Sequence, residues 1–266
     1  MSHIRVGLLL SFVLASSADA AMTGIYRTGT GSGSIVDSLT AFASISTLAS
    51  NSPIGSPVPL SPTIAGAKYT CIFGDFVQGQ ATEGYLYRSV YDTTSGRVSQ
   101  IIRYVVNPAD TLANFRANNG TTFNLVTPGG GGWDREDDMF ADGLGNYYRN
   151  RTANGGSNGV TKYGSFLDFV NDTNGTTYNY TATYGFNDRF FAFEGKFYRT
   201  NTGGSGGSVS SFATYNSFSD LVSGTVASTT NSVNWNQGDI YIPVPAPGAM
   251  ALLGLAGAFG ARRARR

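Results

Sequence analysis

Residues 138–150 read Asp138-Met139-Phe140-Ala141-Asp142-Gly143-Leu144-Gly145-Asn146-Tyr147-Tyr148-Arg149-Asn150. This segment combines a short apolar run, a glycine-rich turn and a second run in which tyrosine precedes arginine. The Tyr-Arg pair recurs as Tyr26-Arg27, Tyr87-Arg88 and Tyr198-Arg199. The four tyrosines are separated by 61, 61 and 50 residues, which indicates an internal repeat.

The repeat extends on both sides of each Tyr-Arg pair. A turn that contains an acidic residue and glycine precedes the later copies, and an apolar run such as residues 190–193 precedes the turn. A third run follows at residues 34–36, 96–102, 159–163 and 207–212, and leucine-centred segments close the units at 110–112, 166–169 and 219–222. Residues 121–124 and 176–179 also correspond to each other. Alternating runs rich in Tyr, Phe, Thr and Val predict an all-β protein.

A unit of this length with about four short strands is typical of a β-propeller blade, because one blade buries both faces only against its neighbours. Residues 142–148 also resemble the Asp-x-x-Gly-Asn-x-Tyr turn found in propellers. We therefore predict one β-repeat domain, residues 21–242, folded as a small propeller of four or five blades. A β-sandwich of duplicated hairpins is the alternative. A partial copy at residues 238–241 is predicted to close the ring, and the proline-rich residues 52–62 are predicted to form a long loop.

The N-terminal residues 1–20 have the pattern of a secretory signal peptide. Residues 1–5 carry one positive charge, residues 6–14 are apolar, and Ala18-Asp19-Ala20 is a small-x-small cleavage sequence. Signal peptidase is therefore expected to cut between Ala20 and Ala21. An uncut membrane anchor is the alternative, although the apolar run is short for a span of about 20 residues.

The C-terminal residues 243–266 form a second distinctive segment. A proline box, Val244-Pro245-Ala246-Pro247, precedes an uncharged apolar stretch at 248–261. As a hydrophobic helix that stretch is ~21 Å long, against ~30 Å for the hydrocarbon core of a bilayer. The cluster that follows contains Arg262, Arg263, Arg265 and Arg266. This order predicts a tail that contacts the inner membrane, transiently or as an anchor, with its arginines on the cytoplasmic side.

The tail resembles the bacterial PEP-CTERM sorting signal, which combines a Val-Pro-Glu-Pro-like box, a short apolar helix and an arginine cluster. The same kind of segment is also called an ice-binding protein C-terminal domain, a label that does not imply ice binding. The resemblance covers residues 243–266 and implies processing by an exosortase-like enzyme, with a final location in the cell envelope, at the cell surface or outside the cell. Ala246 occupies the position of the usual glutamate. An ordinary tail anchor that stays uncut is the alternative.

The amino-acid composition limits the reactions that the predicted β-repeat domain could catalyse. Only 13% of the 266 residues are charged, and the single histidine, His3, belongs to the predicted signal peptide. The mature chain would then contain no Ser-His-Asp triad and no histidine-ligated zinc. The body is weakly acidic, which disfavours nucleic acid as a partner. The single cysteine, Cys71, is predicted to be a small buried strand residue.

An acidic cluster beside the glycine run 129–132 is the one candidate metal site. It consists of Asp134, Glu136, Asp137, Asp138 and Asp142. Carboxylates and backbone carbonyls are the oxygen ligands that calcium prefers, so calcium is the one cofactor considered. A solvated acidic turn is the alternative. The recurrent arginines Arg27, Arg88, Arg149 and Arg199 are predicted to pair locally within strands.

Together these features predict an exported, non-enzymatic surface or extracellular matrix protein. Its β-repeat body would contact polysaccharide or other envelope proteins. A glycosidase or lyase that uses two carboxylates across a central pocket is the alternative from a different class.

Overall fold

The computed structural model describes residues 24–31, 35–64, 71–75, 84–92, 94–106, 112–126, 133–134, 137–153, 156–185, 188–202, 208–235 and 241–244. The predicted signal peptide, the glycine run 129–132 and the tail beyond Val244 lie outside these residues. The predicted cleavage site at Ala20 and Ala21 and the arginines Arg262, Arg263, Arg265 and Arg266 therefore also lie outside them.

The described chain forms four antiparallel sheets, numbered blades I to IV. From the inner strand outward, blade I contains β17 (Tyr241–Val244), β1 (Gly24–Gly31), β2 (Ile35–Phe42) and β3 (Ile54–Ile64). Blade II contains β4 (Ile72–Asp75), β5 (Gly84–Asp92), β6 (Arg97–Val106) and β7 (Thr121–Asn124), and β8 (Trp133–Asp134) also pairs with β6. Blade III contains β9 (Asp138–Ala141), β10 (Tyr147–Ala153), β11 (Gly156–Tyr163) and β12 (Thr176–Gly185). Blade IV contains β13 (Phe190–Phe193), β14 (Lys196–Asn201), β15 (Val209–Tyr215) and β16 (Ser228–Trp235).

The four blades form a ring. Their inner strands contact one another in the cyclic order β17, β4, β9, β13 and back to β17. The last described strand pairs with the first, with Gly24 opposite Val244 and Arg27 opposite Tyr241. The four-bladed propeller and its closure by the C-terminal strand are thus confirmed, whereas five blades and the β-sandwich are wrong. The closing strand reaches Val244, two residues beyond the predicted end of the repeat domain.

Along the second strand of each blade, successive side chains are buried on opposite faces of the sheet. Each blade is therefore stabilised by packing against both of its neighbours. Successive side chains of a strand point to opposite faces of the sheet. Leu86 therefore packs toward blade I, and the next residue, Tyr87, packs toward blade III. Each face of each blade contributes to one of four hydrophobic clusters, and each cluster fills one junction between adjacent blades. Representative buried pairs are Leu39 and Leu86 (I–II), Tyr87 and Phe169 (II–III), Tyr148 and Phe197 (III–IV), and Phe212 and Phe42 (IV–I).

A one-turn helix joins the third and fourth strands of every blade. The helices are α1 (Ile45–Ala49), α2 (Ala113–Arg116), α3 (Phe166–Asn171) and α4 (Phe218–Ser223). Ser44, Ser165 and Ser217 cap three of them by accepting a backbone N–H bond three residues later. Because neighbouring strands are antiparallel, the helices lie at the same end of the ring as the turns after the inner strands. We call this end the helix face and the opposite end the loop face.

The prediction of a proline-rich loop at residues 52–62 is wrong, because residues 54–64 form β3. Val58 and Pro59 lie opposite Leu39 and Ser38 of β2. Proline lacks a backbone N–H, but an edge strand needs hydrogen bonds along one side only. The outermost position in blade I therefore tolerates these prolines.

Candidate functional site: the ring centre and the blade junctions

The described members of the predicted acidic cluster serve separate contacts. The Asp137 carboxylate lies 2.6 Å from Arg149 Nε. Asp138 accepts a hydrogen bond from the Phe190 backbone N–H at 2.6 Å. Asp142 accepts bonds from the backbone N–H groups of Leu144 and Asn146 and so shapes the turn after β9. Asp134 pairs with Arg97 through its backbone. The Asp134 side chain and Glu136 lie outside the described residues.

A polar cluster at the ring centre joins three blades where their inner strands begin. The Cys71 thiol lies 3.4 Å from Asp138 Oδ1, and Arg189 Nη1 lies 3.5 Å from the same oxygen. The three residues hold equivalent positions in blades II, III and IV. Each faces the small polar residue that follows the recurrent arginine, namely Ser89 for Cys71, Asn150 for Asp138 and Thr200 for Arg189.

The environment of this cluster disfavours nucleophilic chemistry. Burial raises the pKa of the Cys71 thiol far above its ordinary value, and the negative charge of Asp138 raises it further. Burial also raises the pKa of Asp138, while the charge of Arg189 and the Phe190 N–H oppose that change. The thiolate is the reactive form of cysteine, so the neutral Cys71 thiol is a structural group. Its predicted burial is confirmed, but Cys71 lies directly before β4 and not within the strand.

We expect the native protein to resist thiol reagents. Cys71 is buried and its pKa is raised, so a maleimide should label it only after denaturation. Mass spectrometry before and after unfolding in urea measures this difference. Stoichiometric labelling of the folded protein at neutral pH would contradict the structural role of Cys71.

The recurrent arginines connect neighbouring blades. The guanidinium carbon of Arg27 lies 3.9 Å from the ring centre of Trp235, which ends blade IV. Arg149 lies in the same way 4.5 Å from Trp133 of blade II, and Arg199 lies 4.8 Å from Tyr184 of blade III. Among the described residues, cation–π contacts of this kind therefore recur at three junctions.

Two of these arginines also form buried ion pairs. Arg149 pairs with Asp137, and Arg199 Nη1 lies 2.5 Å from Asp188 Oδ2. Each aspartate follows its blade-ending aromatic residue by four positions, as Asp137 follows Trp133 and Asp188 follows Tyr184. The prediction that these arginines pair locally is thus confirmed for Arg149 and Arg199.

Another buried carboxyl group, that of Asp75, lies near the helix face between blades II and III. Asp75 Oδ2 accepts a hydrogen bond from the Tyr147 hydroxyl, which lies 3.1 Å from the Tyr87 hydroxyl. Asp75 Oδ1 is buried and has no hydrogen-bond partner among the residues that the structure describes. Burial raises the pKa of Asp75; the bond from Tyr147 opposes this rise, and the charge of Asp142 adds to it.

Replacing Asp75 with asparagine should stabilise the protein at pH 7. Because the pKa of Asp75 is higher in the folded state, this group stabilises the fold below its unfolded pKa, and that contribution is lost as pH rises. Asp75→Asn removes the buried charge and keeps an acceptor for Tyr147. We expect a gain of ~1 kcal/mol or more in the free energy of unfolding, because a buried carboxylate charge costs more than a neutral amide in the same place; urea unfolding measures it.

The pH dependence of the stability gain distinguishes the removal of a buried charge from a stabilisation that does not depend on protonation. The gain from Asp75→Asn should shrink as pH falls toward 3, where the native carboxyl is protonated. Asp92→Asn is the matched control, since Asp92 lies in an exposed turn and its pKa is lowered by bonds from Ser95 and Thr94. A gain that is equal at pH 3 and pH 7 would contradict the explanation.

The rim of the ring carries a repeated, uncharged strand. Residues 121–124, 176–179 and 228–231 lie at equivalent positions in the fourth strands of blades II, III and IV. They read Thr-Thr-Phe-Asn, Thr-Thr-Tyr-Asn and Ser-Thr-Thr-Asn, and their asparagines are exposed. The first two copies are evident in the sequence, whereas the third lacks an aromatic residue and only the strand register shows it.

The fold and these junctions define a four-bladed β-propeller. No protein-family model matches the sequence, and no curated protein is significantly similar to it. Within the described residues, no three His, Cys, Asp or Glu side chains are grouped so that they could hold a metal ion. None of the described helices is long and apolar enough to cross a membrane.

Proposed function

We propose that this chain is an exported, non-enzymatic protein of the bacterial cell envelope. An exosortase-like enzyme would process its tail, and its propeller would contact polysaccharide or other envelope proteins. The observation that carries the proposal is the pair of terminal segments: a signal-peptide pattern before Ala21, and the proline box, apolar stretch and arginine cluster after the closing strand.

The exposed rim strands favour a neutral polysaccharide as the contact. Their hydroxyl and amide groups can exchange hydrogen bonds with sugar hydroxyls, and exposed Tyr178 adds an aromatic surface. The buried carboxylates Asp137 and Asp188 pair with arginines. Because these carboxylates are held in ion pairs, they favour the interpretation of the propeller as a structural scaffold over that of a carboxylate-dependent hydrolase.

Mass spectrometry of the cell-surface fraction tests export and processing. When the full chain is expressed in a bacterium that has an exosortase, the surface protein should begin at Ala21 and lack peptides that contain Arg262. If the surface protein keeps Arg262, the tail is not cleaved and acts as a permanent anchor. Retention of the whole chain from Met1 in the cytosol would overturn the proposal.

Titration with a neutral glucan and with an acidic polysaccharide tests the contact. We expect the protein to bind the neutral glucan and the double variant Tyr178→Ala, Asn179→Ala to bind it more weakly. Thr94→Ala is the control, since Thr94 is exposed in the β5–β6 turn on the loop face. Absence of binding to both polysaccharides, together with no envelope protein captured, would overturn the contact role.

A further inference from the structure

The closing strand ends where the predicted sorting signal begins. Val244 is the last residue of β17 and the first residue of the proline box. It lies opposite Gly24, the first residue of β1. Both ends of the described chain therefore leave the propeller side by side, at the helix face of blade I.

The spacer between the propeller and the apolar tail is short. Only residues 245–247 separate Val244 from the apolar stretch that begins at Gly248. Fully extended, this connection spans at most ~14 Å at ~3.5 Å per residue. The interfacial layer on each side of a bilayer takes ~5–8 Å of that length. An inserted tail would thus hold Val244 within ~10 Å of the membrane surface.

The helix face also exposes apolar side chains on the three other blades. Leu144 in the turn after β9 and Leu167 in α3 are 67% and 63% exposed. Val105 at the end of β6 and Val226 after α4 add exposed apolar surface on blades II and IV. Of the exposed large apolar side chains in the described residues, these four lie at the helix face. The others, Val126, Tyr178 and Val233, lie in or beside fourth strands.

We infer that the helix face of the propeller rests against the membrane while the tail is inserted, with Leu144 and Leu167 contacting lipid. The inference depends on the proposed function, because it takes the tail to be membrane-inserted. A propeller tethered through a long linker could rotate freely, but a three-residue spacer from the helix face restricts it to orientations with this face near the bilayer. Exposed leucines on that face then gain burial in the interface.

The charges on this face indicate which lipid it fits. The described turns and helices there carry Asp142, Asp168, Asp172, Glu194 and Asp220 as acidic residues. They outnumber the basic residues at this end, which are Arg116, Lys162 near the end of β11 and Lys196 at the start of β14. An acidic surface is repelled by anionic lipids and not by zwitterionic ones. We therefore assign a neutral, zwitterionic lipid surface as the partner of the helix face.

Fluorescence quenching by lipid tests the orientation. The chain from Ala21 to Arg266 is reconstituted in phosphatidylcholine vesicles that contain a spin-labelled lipid, with a fluorophore attached to Leu144→Cys, Leu167→Cys or Thr94→Cys. Native Cys71 is buried and should stay unlabelled. Quenching should be about twofold or more stronger at positions 144 and 167 than at position 94, since interfacial apolar groups sit ~5–10 Å into the headgroup boundary.

Two outcomes separate this inference from the proposed function. A chain that ends at Pro247 keeps β17 but lacks the apolar stretch, so it should neither float with the vesicles nor show the difference in quenching. If the full chain floats but position 94 is quenched as strongly as position 144, the orientation is wrong and the anchor stands. If the full chain does not float, the inserted tail and the orientation are both wrong, whereas export and processing are decided by the surface fraction and its Arg262 peptides. Replacing part of the phosphatidylcholine with phosphatidylglycerol should reduce quenching at position 144; an increase would contradict the lipid assignment.

Discussion

Removing the closing strand should abolish cooperative folding. We compare a chain from Ala21 to Gly238 with one from Ala21 to Pro247, which keeps β17 (Tyr241–Val244). Ile242 is buried at the junction of blades I and II, and Tyr241 packs on Phe191 and Phe212 of blade IV. The short chain therefore loses contacts at two junctions and exposes the inner edge of β1.

The size of this effect follows from burial. Each fully buried large apolar side chain contributes ~1.5–3 kcal/mol, so the loss of Tyr241 and Ile242, with the ladder hydrogen bonds, reaches ~5 kcal/mol. Domains of ordinary stability have ~5–15 kcal/mol in total. Urea unfolding followed by tryptophan fluorescence should show no cooperative transition for the short chain, or one at much lower urea.

A peptide supplied in trans provides the control for specificity. Residues 239–247 as a free peptide should restore the transition of the short chain by adding the missing strand to β1. A peptide with Ile242→Asp should fail, since a charge would enter the apolar junction. Equal unfolding midpoints for the short and long chains would show that β17 does not close the ring.

The repeat in the sequence predicted most of the fold because the second strand of each blade is buried on both faces. Such a strand tolerates few substitutions, so Tyr26, Tyr87, Tyr148 and Tyr198 keep a recognisable spacing. The blade number was left open because the closing strand comes from the other end of the chain. The partial copy at residues 238–241 predicts closure of the ring but does not decide between four and five blades. The register of β17 with β1 decides it.

The candidate site was harder to predict because register separates residues that are adjacent in sequence. Asp137 and Asp138 belong to one acidic run, yet Asp138 begins β9 while Asp137 lies just before it, and their side chains point to different partners. Asp137 therefore reaches Arg149 at the junction with blade II, while Asp138 reaches Cys71 and Arg189 at the ring centre. The acidic run suggested a shared metal site, whereas geometry gives Asp137 and Asp138 separate structural contacts. The calcium site stays a prediction, because Glu136 and the Asp134 side chain lie outside the described residues.

One spacing in the sequence could have revealed the junctions. An aromatic residue precedes an aspartate by four positions at Trp133, Tyr184 and Trp235. Asp239, which follows Trp235, lies outside the described residues. At the junction of blades I and II the aligned positions are Gly66 and Thr70, so the pattern is absent from the sequence there. Three copies among four blades are easily missed when the search starts from the Tyr-Arg pair.

Replacing Arg199 with alanine should produce the largest loss from a single polar side chain. The Asp188 side chain is 2% exposed, and Arg199 also donates a hydrogen bond to the Tyr215 hydroxyl at 3.2 Å. Without Arg199 the Asp188 carboxylate stays buried beside the Gly185 and Thr202 N–H groups, with no opposite charge from Arg199. Breaking a buried pair in this way costs ~3–5 kcal/mol in the free energy of unfolding.

A double-mutant cycle distinguishes the ion pair from lost packing. Asp188→Asn removes the charge and keeps one acceptor oxygen, which can serve the N–H of either Gly185 or Thr202 but not both. The Arg199→Ala, Asp188→Asn double variant should therefore recover part of the loss, with a coupling of ~1–3 kcal/mol. Arg151→Ala is the matched control, because Arg151 is exposed on β10 and its removal should change stability by less than ~0.5 kcal/mol. Additive losses across the cycle would mean that Arg199 stabilises the junction by its cation–π contact with Tyr184 and not by its ion pair with Asp188. That result would leave the cation–π contacts, which recur at three junctions, as the shared stabilising feature of the ring.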